Sequence, residues 1–299
     1  MKRLIANGWQ KSRRILCCKE DNMGMRITTN VAALNAQKNL GFTQRAAQTS
    51  MARLSSGMRI NQASDDAAGL AISENLKAQI RGMRQANRNA NDGISLVQVA
   101  EGSLNEVSNM LIRLRELGVQ AASDTVGDTE RKFVDVEYQQ LKSEIQRVTE
   151  STNFNGYNLL NGTGGVIDIQ VGTHNDPFQD RISFNSAAAN AGLEALGLFA
   201  ENAATKDAAQ LSLSAVDNAL VSVNAIRANF GAMQNRLTST SANLLVADEN
   251  LSAANSRIRD TDVAAETSEM TRNNILLQAG VSILGQANQS QQLALKLLG

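Results

Sequence analysis

Few residues in this 299-residue chain could do chemistry, and none has a suitable partner close to it in sequence. The single histidine, His174, lies in a turn-rich segment beside Asn175, Asp176 and Asp180. A general base must reach both the proton it takes and a group that orients it, and a lone loop imidazole is ordinarily just solvated. The neighbouring Asn175, Asp176 and Asp180 lack the ligand order of an EF-hand calcium loop, so their spacing favours a turn. Asp65-Asp66 precedes Ala67-Ala68-Gly69, where carboxylates favour the positive end of a helix dipole. As neighbours in sequence they would make a poor acid/base pair. No Gly-rich loop is followed by Lys and Ser or Thr, so a Walker-type phosphate cradle is absent. Cys17 and Cys18, the only cysteines, are adjacent, a spacing that suits neither a disulfide nor a zinc motif and reads as incidental thiols. No catalytic residue, cofactor or metal is expected, and the chain reads as a non-enzymatic protein.

Composition points the same way. The sequence holds one proline, Pro177, and 3% aromatic residues. Long helices can run without interruption in such a chain, and scarce aromatics argue against a thick globular core. Lys plus Arg and Asp plus Glu both number 29, for a net charge of zero. Without a basic stripe interleaved with aromatics, nucleic-acid binding has little support. Apolar runs fall short of the roughly 18 residues needed to cross a bilayer, so no membrane span is expected.

The first residues differ from the rest. Lys2, Arg3, Lys11, Arg13, Arg14 and Lys19 stand with Trp9 and both cysteines before a change of composition at Met23 and Met25. Leu4-Ile5-Ala6 and Ile15-Leu16 are too short for the apolar region of a secretory signal. Residues 1–24 are expected to be a basic leader outside the folded unit, either a mis-assigned start ahead of Met23 or Met25 or a genuine basic tail.

Heptads dominate the remainder of the chain. Leu76, Met83, Ala90, Val97, Leu104 and Leu111 recur every seven residues, with Ile80 and Ile94 on the companion seam. Val216, Val223, Phe230, Leu237, Leu244, Leu251 and Ile258 form a second series, accompanied by Ala219, Ile226, Met233, Ala247 and Ala254. Sustained seven-residue spacing predicts helices that supercoil about each other. Continuous from Asp207 to Arg259, the second helix would be about 80 Å long. Val134, Tyr138, Leu141, Ile145 and Val148 mark a shorter helix completing a three-helix bundle. Val166 to Val171 and Arg181 to Phe184 alternate apolar with polar and predict a β-hairpin across a loop containing Pro177. A short Ala/Gly/Asn-rich connection spans 187–206. The fold class expected is mainly α: a long antiparallel coiled-coil rod, 68–259, with a β-hairpin near 166–184.

Both chain ends carry weaker stripes. Ala33, Leu40, Ala47 and Leu54 form one, and Val263, Met270, Leu277 and Leu284 another that resumes at Leu298. Helices of this kind are marginal alone in water and need a partner, either each other or neighbouring copies.

RLSSGMRINQASDDAAGLAI, from Arg53 to Ile72, resembles the signature of bacterial flagellin. The resemblance extends to ITTNVAALNAQKNL from Ile27, NFNGYNLLNG from Asn153, IQVGTHND from Ile169, and SRIRDTDVAAETSEMTRNNILLQAGVSILGQANQSQQLALKLL from Ser256. It covers essentially Met25 to Gly299 and leaves the leader without a counterpart. It implies that residues 25–67 and 260–299 pair as filament inner-core helices, with Leu40, Leu54, Val263, Met270, Leu277 and Leu284 as assembly positions. The variable surface domains of the family would be reduced here to 187–206.

The resemblance also implies export, unfolded, through the flagellar type III apparatus, and polymerisation into an extracellular filament. The partners it implies are other copies, an export chaperone at the C-terminal segment, and the filament cap and junction proteins. Toll-like receptor 5 is a further implied partner, with Arg113, Leu117 and Glu137 at matching contact positions. Ile112 stands where the family commonly has glutamine. Two rival readings are a hook–filament junction protein, which shares such ends, and a signalling coiled-coil rod, which accounts for neither the hairpin nor the terminal stripes.

Overall fold

A computed structural model of the chain describes residues 29–296. The basic leader, both cysteines and Leu298 lie outside the described residues. The elements are α1 (Val31–Ser56), α2 (Ala67–Ala122), α3 (Asp128–Ser151), β1 (Asn153–Phe154), β2 (Tyr157–Asn158), β3 (Val166–Gln170), β4 (Arg181–Asn185), α4 (Lys206–Arg259) and α5 (Val263–Lys296). A short 3₁₀ turn, Ala187–Ala189, follows β4. The chain divides into two compact units, Gln62–Asp260 and the residues flanking it on both sides.

In the Gln62–Asp260 unit, α2 and α4 run side by side as the heptads predict. Asp66 opens α2, its Oδ1 accepting the Gly69 backbone N–H at 2.8 Å, which is the role expected of a carboxylate at helix entry. Thr205 caps α4 in the same way through Ala208. Asp207 in the first turn and Arg257 and Arg259 in the last suit the helix dipole.

The core is not uniform along this pair. Ala90, Val97, Leu104 and Leu111 on α2, and Val216, Val223, Phe230 and Leu237 on α4, are buried. Farther along the same seams, Leu76, Met83, Leu244, Leu251 and Ile258 are only half-buried. The difference is what lies on top. α3 contributes Tyr138 and Ile145, and the hairpin contributes Ile169, Ile182 and Phe184, to one cluster with the buried heptad positions. Phe184 and Phe230 stack at 5.5 Å between ring centres, fixing β4 against α4. Gly93 lets β3 approach α2: a Cβ there would come within 2.7 Å of the Ile169 side chain.

β3 and β4 pair antiparallel from Val166↔Asn185 to Gln170↔Arg181, so the hairpin forms where the alternation places it. β1 and β2 form a second hairpin too short for alternation to reveal, pairing Asn153↔Asn158 and Phe154↔Tyr157.

A polar ladder on α3 is not foreshadowed by any sequence pattern. Gln146 Oε1 accepts the Leu193 N–H at 3.1 Å, and Asp135 Oδ1 accepts the Ala203 N–H at 2.8 Å. Between them Lys142 Nζ donates to the carbonyls of Phe199 at 3.1 Å and Glu201 at 2.6 Å, and Gln139 adds a bond to Glu201. Residues spaced by four and three share a helix face, so one polar stripe holds the connection by its backbone. Arg131, also buried, closes the end of α2 by donating to the carbonyls of Ala121 and Ser123, both at 2.9 Å.

The second unit is simpler. α1 starts at Asn30, whose Oδ1 accepts the Ala33 N–H, and ends at Gly57 in the left-handed conformation with φ 70°. Asp262 opens α5 by accepting from the Ala264 and Ala265 N–H groups at 2.9 and 3.2 Å. The two helices pair antiparallel. Asn30 Nδ2 donates to the Ala287 carbonyl at 3.0 Å near one end, and Arg53 faces Glu266 at 3.7 Å near the other.

Candidate assembly surface

The α1/α5 pair is built on a repeat of threes and fours. On α1 the inward positions are Ala33, Ala36, Leu40, Thr43, Ala47, Ser50 and Leu54. On α5 they are Glu266, Met270, Asn273, Leu277, Gly280, Leu284 and Ala287. Small residues let the backbones approach closely: a Cβ on Gly280 would stand 2.9 Å from Leu40 Cδ1. Close approach with small side chains removes little apolar area from water, and hydrophobic stabilisation scales with that area. Within α1 only Ala47 and Ser50 are buried.

Five of the six predicted assembly residues, Leu40, Leu54, Met270, Leu277 and Leu284, line this seam and are half-buried. Val263 is not brought into it; at the start of α5 it is 60% exposed. The outward face was not anticipated from the sequence. Val31, Leu34, Phe42 and Met51 on α1, and Ile275, Leu276, Val281 and Ile283 on α5, are all exposed. Phe42 lies between Lys38 and Arg45, whose cations stand 5.9 and 5.7 Å from its ring centre. The signal was present as a second apolar set on each helix, out of phase with the first. Large apolar side chains on both faces of a two-helix pair are the mark of a surface that meets other protein.

Arg113 and Glu137 come together on the larger unit, from α2 and α3, at 2.9 Å, and Arg113 also meets Glu116 at 2.9 Å. The hydrogen bonds it donates to the Glu116 and then the Glu137 carboxylate raise the Arg113 guanidinium above its ordinary value. Leu117 does not join them. It is 1% exposed and packs in the core cluster with Leu114 and Ala121. That corrects its expected place at a contact surface. Ile112, by contrast, is exposed.

His174 is exposed, its Nδ1 3.1 Å from Thr173 Oγ1. Asp176 accepts the Phe178 and Gln179 N–H groups, and Asp180 accepts that of Asp176, so these carboxylates serve the turn. Among the described residues no cluster of His, Cys, Asp and Glu could hold a metal ion. No described helix is long and apolar enough to cross a membrane.

A filled bundle and an under-filled pair of terminal helices, in one chain, define a structural subunit completed by other protein. Comparison with known proteins gives that class its family. Residues 27–164 match the bacterial flagellin N-terminal helical region, and residues 213–298 match the bacterial flagellin C-terminal helical region. A flagellin of Halalkalibacterium halodurans is 46% identical over 274 residues, covering 92% of this chain and 100% of that protein. A flagellin of Bacillus subtilis is 43% identical over 310 residues, again covering 92% of this chain and all of that protein. The fold is similar to a putative flagellar hook-associated protein from Vibrio parahaemolyticus, with a TM-score of 0.54 and 16% identity over 66% of this chain and 100% of that one. The chain belongs to the bacterial flagellin family.

Proposed function

We infer that this protein is a structural subunit of the bacterial flagellar filament, which polymerises with copies of itself and has no enzymatic role. The observation that carries this reading is the α1/α5 pair, apolar on both its inward and outward faces and thinly packed between them. Burying one large aliphatic side chain contributes about 1.5–3 kcal/mol. Exposed Val31, Leu34, Phe42, Met51, Ile275, Leu276, Val281 and Ile283 therefore hold a large gain that only a neighbouring protein surface can collect. Residues 25–67 and 260–299 form the filament's inner core in this reading, with Leu40, Leu54, Met270, Leu277 and Leu284 setting the pairing. Residues 68–259 form the outer layer, and 187–206 takes the place of a surface domain.

Export proceeds through the flagellar type III apparatus, on an unfolded chain, to the filament outside the cell. Terminal helices that gain most of their stability on assembly suit that route. An export chaperone would occupy the apolar C-terminal segment beforehand, and the cap and junction proteins would meet the same terminal helices. Toll-like receptor 5 remains a proposed partner through Arg113 and Glu137, without Leu117 at the surface. A receptor reporter assay giving no response to monomer would remove that partner.

The filament reading is tested by concentrating the full chain with a precipitating salt, seeding it with filament fragments and imaging the product. Tubes with helical subunit order are expected from wild type, and none from Ile283→Asp on the exposed outward face, whose monomer keeps its helical signal. Should wild type stay a protease-resistant monomer under all these conditions, the reading fails and a junction protein becomes the better account.

A further inference from the structure

Two Asn-Gly steps occur among the described residues, Asn155-Gly156 and Asn161-Gly162, and the fold treats them differently. We propose that Asn155 is a site of spontaneous deamidation, in which the Gly156 nitrogen attacks the Asn155 side-chain amide, while Asn161 is protected. The proposal holds whether or not the chain polymerises.

Asn155 and Gly156 form the two-residue turn between β1 and β2, with φ values of 50° and 85°. Both are exposed, and among the described residues no hydrogen bond holds the Asn155 carboxamide or the Gly156 N–H. Around Gly156 the space is open: a Cβ built there meets nothing within 4 Å. Water and hydroxide therefore reach the nucleophile and the electrophile together.

Asn161 is held. Its Oδ1 accepts the Thr163 N–H at 3.0 Å and the Thr163 hydroxyl at 2.8 Å. Asn190 packs over the following glycine, its Nδ2 2.8 Å from where a Gly162 Cβ would stand. The carboxamide cannot turn towards the Gly162 nitrogen without giving up two bonds and displacing Asn190.

The reaction needs only water and base. Hydroxide removes the Gly156 amide proton, and the nitrogen forms a bond to Asn155 Cγ. The Cγ–Nδ2 bond breaks as Nδ2 takes a proton from water, so ammonia leaves, hydroxide is regenerated and a five-membered succinimide remains. Water opens that ring at either carbonyl, yielding aspartate or isoaspartate, with no change of oxidation state. The backbone must leave the tight turn to let the ring close. β1 and β2 share two residue pairs, and hairpins so small open readily. Either product adds a carboxylate, and isoaspartate inserts a backbone carbon into a two-residue turn whose geometry depends on both positive φ values. The turn leads directly into buried Leu159 and Leu160, so the change reaches the edge of the core.

The test incubates the full chain, folded, in mildly alkaline buffer and follows both peptides by mass spectrometry that distinguishes isoaspartate. A parallel sample in denaturant gives each step's intrinsic rate. The expected result is comparable rates in denaturant, with Asn155 reacting several-fold faster than Asn161 in the folded protein. Asn190→Ala should speed the reaction at Asn161 and leave Asn155 unchanged. Equal folded rates, or an Asn155 suppressed as fully as Asn161, would overturn the proposal.

Discussion

Along α2 and α4 the heptad seam is closed to solvent from Ala90 to Leu111 and from Val216 to Leu237, whereas along α1 and α5 the leucines of the seam stay half-open. Both regions carry the same repeat. What separates them is a third layer: α3 and the β3/β4 hairpin lie on the first pair, and among the described residues of its own unit nothing lies on the second. The larger unit shows the same effect internally: Leu76, Met83, Leu244, Leu251 and Ile258, outside the cluster that α3 and the hairpin join, are only half-buried, although Ile80 on the companion seam is buried. A heptad therefore specifies which residues face a partner, and the number of partners specifies how much stability that facing yields.

The comparison can be broken by substitutions of matched chemistry. Leu111→Ala, in the closed seam, should destabilise the monomer by about 2–5 kcal/mol, read by chemical denaturation. Leu277→Ala, in the half-open seam, should cost the monomer a fraction of that and instead raise the concentration needed for polymerisation. Equal monomer losses would erase the distinction between the two regions.

Overpacking sharpens the contrast. Gly280→Leu forces a side chain against Leu40 and should cost the α1/α5 pair about 1–3 kcal/mol. The readout is loss of helical signal, with the denaturation midpoint of the larger unit unchanged.

Lys142→Met removes the charge-assisted bonds to Phe199 and Glu201, and should cost about 1.5–3 kcal/mol together with faster proteolysis of the 193–203 connection. Burial pulls the Lys142 ammonium below its ordinary range, against the opposing pull of Asp135 and Glu201. A lysine lowered in the folded state loses its proton there first, so stability should rise as pH climbs from that lowered value towards the ordinary lysine range. The wild type, compared with the variant, should show this rise, and a fall would contradict the buried-amine account.

The smallest effect is expected at the acid end. Arg259 holds the Glu74 carboxyl below its usual range, and Lys206 does the same for Asp124. These carboxylates titrate lower when folded, so what they contribute is present above the ordinary carboxylate range and lost as pH falls through the folded values. Both carboxylates are solvent-exposed, and the contribution of each pair is screened by salt. Glu74→Gln should flatten the acid side of the stability curve only slightly.

Much of this was legible in the sequence because heptads and alternation are local. The α4 limits, the Asp66 cap and the place of the β3/β4 strands follow from spacing and from side chains that act on their own backbone. Depth of burial was not legible, since Leu104 and Leu251 read alike until the covering elements are placed. The same holds for Leu117: the resemblance gives it a surface role, it stands on neither heptad series, and only the packed bundle shows that it is buried. The α3 ladder escaped because Asp135, Gln139, Lys142 and Gln146 look like a solvated face. Only the path of a segment some sixty residues away gives them partners. The outward apolar face of α1 and α5 was obscured by the inward stripe, which accounts for the heptad pattern without it.

The most direct test of the central claim is amide hydrogen exchange on the same chain as monomer and as assembled filament. Slow exchange is expected over residues 90–121 and 209–237 in both states, with α1 and α5 exchanging fast in the monomer and becoming protected only on assembly. If α1 and α5 were protected in the monomer as strongly as α2 and α4, the terminal pair would be complete in itself and the account would be wrong.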